Sequence, residues 1–231
     1  MKSKKLNNLL RLFILWNMTI FYSSLAIANQ EEYKYPFQKK IVILKLTGDV
    51  IGKENVQCAN FNFNTKTNVK NGTAIAMEYI YFTNKALGLG AGIKYQFFRE
   101  VNDQTDDIGK FRFVPLYFLL KVQKQTGIYS IGQIGYNSLA GNSYYGSKYS
   151  GGLYYGIGFG FSTKNNSFIE LLYGVNNGII ENFGTMTTVT VAGATVEYIP
   201  AEVKYTQIGI SFGFKFGVKS REINKWGSDR F

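Results

Sequence analysis

The 231-residue chain contains no histidine. Without imidazole, the side chain whose pKa lies nearest neutrality is missing, and with it the usual proton shuttle of hydrolases and acyl-transfer enzymes. A carboxylate-pair mechanism would need two acids on one face of a cleft, and the acidic residues number only 15 and are scattered. Asp103, Asp106 and Asp107 lie close together, but not at the spacing of a calcium loop. No catalytic residue, metal ligand or cofactor is expected, and the chain is read as a non-enzyme. The lone cysteine, Cys58, excludes an internal disulfide and lies too far in to be a lipidated N-terminus. With 3 prolines and no Pro- or Ser-rich tract, a disordered linker protein is excluded as well. Beyond residue 28 no apolar run approaches the 18 or so residues of a membrane helix.

What the chain does carry begins with an export signal. Lys2, Lys4, Lys5 and Arg11 form a basic start, Leu12 to Leu25 is mostly apolar, and Ala26-Ile27-Ala28 is a small-x-small cleavage pattern. Residues 1–28 are therefore expected to be a signal peptide cut after Ala28. Its removal takes four positive charges away and lowers the net charge from +11 to +7 (11 − 4). A basic surface of this kind attracts polyanions such as lipopolysaccharide phosphates, although no compact Lys/Arg cluster is visible along the chain.

The mature part alternates with a period of two. Leu87, Leu89, Ala91, Ile93, Tyr95 and Phe97 oppose Gly88, Gly90, Gly92, Lys94 and Gln96; Leu153 to Phe161 and Thr206 to Phe216 repeat the pattern. One face is large and apolar, the other glycine, small polar or charged. A soluble sandwich turns a Lys-, Glu- and Thr-rich face to water, and glycine has little reason to be there. Glycine pointing into a narrow barrel relieves crowding. The pattern predicts an all-β, antiparallel, up-and-down transmembrane barrel.

Strands are expected near 40–50, 73–82, 87–98, 111–123, 128–136, 151–163, 167–176 and 205–217. Tight turns at 83–85, 124–127 and 164–166 alternate with longer polar segments, as in outer-membrane barrels. Gln57–Thr65 and Thr187–Tyr198 also alternate; they are read as hairpins rising above the membrane, with a ten-stranded barrel as the alternative. Pro115 is expected to introduce a bulge or an edge-like kink. Tyr79, Tyr81, Phe82, Phe97, Phe98, Phe111, Phe113, Phe212, Phe214 and Phe216 cluster near strand ends, where interfacial aromatic girdles lie. Residues 29–39 form a periplasmic N-terminal segment, 40–217 the barrel, and 218–231 a periplasmic tail.

Lys45, Glu78, Lys94, Lys121, Glu170 and Lys215 fall on the glycine-bearing face and are the expected interior charges. Glu78 and Lys94 are diagonal neighbours, close enough for a pair. The interior is read as plugged by side chains, with a polar path for small ions as the sharper reading.

Glu78-Tyr79-Ile80-Tyr81-Phe82-Thr83-Asn84 followed by Leu87-Gly88-Leu89-Gly90-Ala91-Gly92, Val114-Pro115-Leu116-Tyr117 with Ile131 to Tyr136, and the last strand resemble the small outer-membrane β-barrel family, porin-like barrels of the OmpA–OmpX type. The resemblance covers roughly residues 40 to 217. In it, Gln207, Gly209, Phe212 and Phe214 match the final-strand signal read by the barrel-assembly machinery. It implies a monomeric surface protein in the outer membrane of a Gram-negative-type bacterium, in contact with lipid and lipopolysaccharide and with an extracellular ligand through its loops, and no nucleic acid. The alternative function is a narrow porin-like channel for small solutes or ions; a soluble secreted β-sandwich is the alternative fold. This chain departs from the family by continuing past the last strand to Phe231.

The mature protein is expected to start at Asn29 and to migrate faster on gels when unheated. N-terminal sequencing and gel mobility check this; a soluble periplasmic product would end the barrel reading.

Overall fold

The computed structural model describes residues 40–58, 63–101, 110–124, 127–141, 148–163, 166–190 and 193–217. The expected leader with Ala26 and Ala28, the 29–39 segment, the 218–231 tail and the three clustered aspartates lie outside the described residues.

Eight long strands form the wall: β1 (Lys40–Cys58), β3 (Thr73–Phe82), β4 (Leu87–Gln96), β6 (Lys110–Gln123), β7 (Ile128–Gly141), β9 (Gly152–Ser162), β10 (Ser167–Thr190) and β11 (Gly193–Gly217). Each pairs antiparallel with its neighbours in chain order, and β11 pairs with both β10 and β1, so the sheet closes. Three short strands, β2 (Phe63–Val69), β5 (Arg99–Glu100) and β8 (Tyr149–Ser150), add on above the wall. Closure removes every free edge from the wall, which is how a β-sheet survives in lipid.

Following ladder partners once around gives the shear. From Ile43 the path runs through Glu78, Gly92, Tyr117, Gly135, Tyr154, Asn176 and Tyr205 and returns at Glu54. That is eleven residues further along β1 (54 − 43), one of them taken up by the bulge between Asp49 and Ile51. Eight strands with this stagger tilt by roughly 35–45° and enclose a column just wide enough for side chains.

The three short connections share one closing hydrogen bond. In each, the residue before a three-residue loop donates its N–H to the carbonyl of the residue after it: Thr83 to Leu87, Lys124 to Ile128 and Thr163 to Ser167, at 2.8–2.9 Å. Gly127 (φ 92°) and Asn166 (φ 61°) take the left-handed conformation at the third position of the second and third loops, which Ala86 in the first loop does not share. In the first loop Asn84 Oδ1 accepts from the N–H groups of Ala86 and Leu87.

The eight-stranded reading holds and the ten-stranded one does not. The two doubtful segments extend existing strands: β1 continues to Cys58 beside β2, and β10 and β11 continue as one ribbon to Thr190 and Gly193. Pro115 produces no bulge, since β6 keeps unbroken register with β7 from Phe111 to Gln123. Its ladder with β4 ends at Leu116, one residue short of the proline, so Pro115 sits at an edge on that side. The aromatic girdle needs correction too. Phe82, Phe111 and Phe113 point inward and are buried, whereas Phe97, Phe98, Phe212, Phe214 and Phe216 face out.

Inward glycines make room for rings. A Cβ on Gly92 would lie 2.8 Å from Glu78 Cγ and 2.9 Å from the Tyr117 ring, and one on Gly160 would lie 2.5 Å from Tyr129. We expect Gly92→Ala to lower stability by about 1–3 kcal/mol through overpacking. Gly132→Ala, where a Cβ meets nothing within 4 Å, should change it by less than about 0.5 kcal/mol. Urea midpoints of the refolded variants measure both.

Candidate functional site inside the barrel

The outer wall is apolar across the breadth of a bilayer core. Leu44, Leu46, Ile75, Met77, Leu89, Ile93, Leu116, Phe118, Ile134, Phe159, Ile169, Phe212 and Phe214 are all exposed there. Water would not tolerate so large an apolar surface on a soluble protein. It is the lipid-facing wall of a transmembrane barrel.

Inside, all six expected charges lie on the inner face. Lys45, Glu78, Lys94, Lys121 and Glu170 are buried, and Lys215 is half-buried at the lower end. Lys45 is the hub. Its Nζ lies 2.8 Å from Glu78 Oε1 and 2.8 Å from Glu170 Oε1, reaching Glu170 Oε2 at 3.1 Å as well. Both carboxylates take further donors: Tyr117 OH (2.9 Å) and Gln133 Nε2 (3.1 Å) to Glu78, and Tyr129 OH (3.1 Å) to Glu170. Tyr154 OH donates to Gln133 Oε1 at 2.6 Å, extending the chain of hydrogen bonds across the lumen. Ile43, Ile80, Leu119, Ile131, Phe168 and Leu172 pack around this network. The three charges of this network are tolerated at such depth because each is paired and hydrogen-bonded.

The expected Glu78–Lys94 pair is not formed. Lys94 Nζ lies 5.7 Å above the Tyr154 ring and has no hydrogen-bond partner among the described residues. The shear explains the choice. Glu78 has a diagonal lysine on each side, because its ladder partners are Ile43 and Gly92. Ladder partners climb from β1 to β3 to β4, by about one residue per strand in a barrel of this stagger. Lys45 is thereby brought nearly level with Glu78, and Lys94 is carried about three residues above it.

Lys121 Nζ sits 3.5 Å over the Tyr129 ring, and Lys215 donates to Ser162 Oγ while lying 5.9 Å from the same ring. These two cations line the lower end of the lumen and use aromatic faces in place of carboxylates.

A second cluster, which the sequence pattern does not reveal, closes the upper lumen. Arg99 Nε donates to Asp49 Oδ2 at 2.6 Å and to Tyr205 OH at 3.2 Å, and its Nη1 donates to the Phe97 carbonyl at 2.8 Å. Phe111, Phe113, Leu139 and Val203 pack beside it, with the Phe113 and Tyr205 rings stacked at 6.2 Å. Asp49 shares the parity of Lys45 and Thr47, which is the one signal of its inward turn. Arg99 is hidden because the chain leaves the ladder at Phe97–Phe98 and re-enters as β5, pairing Arg99 with Phe111. Of the expected assembly residues, Gln207 and Gly209 face inward and Phe212 and Phe214 face lipid.

Fold and exterior together define an eight-stranded transmembrane β-barrel. No protein-family description matches the chain, and no curated protein is detectably similar in sequence. Solved structures are similar in fold. The attachment invasion locus protein Ail of Yersinia pestis aligns with a TM-score of 0.45 at 14% identity, over 78% of this chain and 100% of Ail. The outer membrane protein OprG of Pseudomonas aeruginosa gives 0.44 at 14% identity, over 78% and 97%. Neisserial surface protein A gives 0.37 at 12% identity, over 74% and 95%.

Removing the hub strands two buried carboxylates, so Lys45→Met should cost roughly 3–5 kcal/mol. Glu78→Gln should cost clearly less, because Lys45 keeps Glu170. Equilibrium unfolding in urea with lipid vesicles distinguishes the two; equal costs would show that the carboxylates are independently hydrated.

Proposed function

We propose that the chain is a small integral outer-membrane protein whose lumen is closed by side chains, and that it acts through its exterior and its outward ribbon rather than by conducting or catalysing. The observation that carries this reading is the Lys45–Glu78–Glu170 network with its tyrosines, filling the column at one level, below the Arg99–Asp49–Tyr205 cluster at another. Two stacked closures in one narrow lumen support a structural or surface-contact role. The β10–β11 ribbon, whose ladder continues to Thr190 and Gly193, is the largest element above the wall among the described residues and presents Val196 and Tyr198 outward. An extracellular ligand would meet it first. Insertion by the barrel-assembly machinery, a monomeric state and the absence of enzymatic activity belong to the same reading.

A narrow channel is the second reading. It is favoured by the polar wall between the two closures, where buried Gln96, Asn176 and Gln207 carry amide atoms without a hydrogen-bond partner among the described residues. Reconstitution in planar bilayers separates the two. The closed barrel should give no resolved conductance steps at neutral pH. Steady ion-selective openings of wild-type protein would replace it with the channel.

A further inference from the structure

Lys53, Lys66 and Lys204 are far apart in the sequence and belong to three different strands, β1, β2 and β11. The ladders bring them together. Asn55 pairs with Lys66 on one side and with Lys204 on the other, while Lys53 pairs with Asn68 and Thr206. Lys53 is therefore the diagonal neighbour of both other lysines, about 7–8 Å away at Cα in each direction. All three are exposed on the outer surface, and among the described residues none of the ion pairs includes any of them.

Three ammonium groups on neighbouring strands repel one another, which costs stability unless an anion lies among them. Glu54 does not serve, because its side chain belongs to the opposite face of β1. Glu202, paired with Gln57, is on the same face but further from the wall's apolar belt. Height points to the source of the anion. Immediately below the lysines the outward residues are Val50 and Ile51 on β1 and Ile208 and Ile210 on β11, the upper edge of the lipid-facing surface. A group held at that height is at the level of lipid headgroups, where each basic residue contributes to binding of anionic lipid.

We infer that Lys53, Lys66 and Lys204, with Asn55 at their centre, form a site for the phosphate of an outer-leaflet glycolipid headgroup. The site rests on the reading of the chain as an outer-membrane barrel and adds to it a fixed lipid contact at one side of the wall. Lysine suits the task, since three flexible ammonium groups adapt to a phosphate without fixed fork geometry.

The test uses the full mature chain in nanodiscs, with native mass spectrometry reading bound lipid and unfolding midpoints reading stability. Probes are a bis-phosphorylated lipid A-type glycolipid, the same glycolipid with its phosphates removed, inorganic phosphate, and a soluble sulfated oligosaccharide. Wild type should prefer the phosphorylated glycolipid by roughly tenfold to a hundredfold. Lys53→Gln, Lys66→Gln, Lys204→Gln together should abolish the preference, while the equal charge change Lys40→Gln, Lys85→Gln, Lys124→Gln at the opposite rim should keep it. Equal binding of the two glycolipids by wild type overturns the site, as does loss of preference in the opposite-rim control. Stronger binding of inorganic phosphate or sulfated sugar than of the glycolipid overturns the lipid assignment. A chain that fails to insert into nanodiscs sinks the barrel reading itself, a different outcome from insertion without preference.

Discussion

The inner column of an eight-stranded barrel holds too little volume for its own side chains, and most of this structure follows from that shortage. Glycine at positions 92, 156, 158 and 160 is the response on one part of the wall, because a Cβ there meets a neighbour's ring, hydroxyl, side chain or backbone within 3.3 Å. The released space is taken by Tyr117, Tyr129 and Tyr154. Their hydroxyls in turn supply the donors that Glu78, Glu170 and Gln133 need. Packing and electrostatics are thus solved by the same residues: the small side chain permits the ring, and the ring carries the hydroxyl that makes the buried carboxylate tolerable.

Which charges meet is decided by tilt rather than by sequence spacing. Glu78 stands in the same ladder relation to Lys45 and to Lys94, and a flat drawing of the sheet gives no reason to prefer either. The stagger lifts one and lowers the other. Lys45 then gains two carboxylates, and Lys94 is left beside the Tyr154 face. A lysine between two carboxylates leaves one negative charge in excess at that level, which the nearby cations Lys121 and Lys215 offset from below. The lumen is in this sense a column of alternating charge whose levels are set by the shear.

The strands, their inward and outward faces, their number and the three short turns are legible in the chain because a period of two survives wherever one face meets lipid. Glycine at alternate positions in 88–92 and 156–160 marks the inner face by sequence pattern alone. Strand ends are less legible. Above the membrane both faces of β1, β10 and β11 meet water or each other, so the apolar alternation that marks a lipid-facing strand fades although the ladder continues. The inward turn of Phe111 and Phe113 is hidden because an aromatic near a strand end suits an interfacial girdle and a luminal plug equally well. Arg99 is hidden because the break at Phe97–Phe98 resets the parity. The Glu78 pairing depends on height, and height requires the shear, which no local pattern encodes.

The same ladders that pair charges inside leave three lysines without an ion pair outside, among the described residues. Ladder relations gather Lys53, Lys66 and Lys204 from three strands, with Glu202 at their edge and in no ion pair with them among the described residues. Inside the lumen such a grouping would be prohibitive, since a stranded buried ion costs several kcal/mol. At the upper edge of the wall it is tolerable, because water screens the charges and the membrane surface itself is a source of counter-charge. Interior and exterior therefore obey one electrostatic rule under two dielectric conditions. Where solvent is excluded the partners must be built into the chain, as Glu78 and Glu170 are for Lys45 and the Tyr154 and Tyr129 rings are for Lys94 and Lys121; where lipid headgroups are at hand, the membrane can provide them.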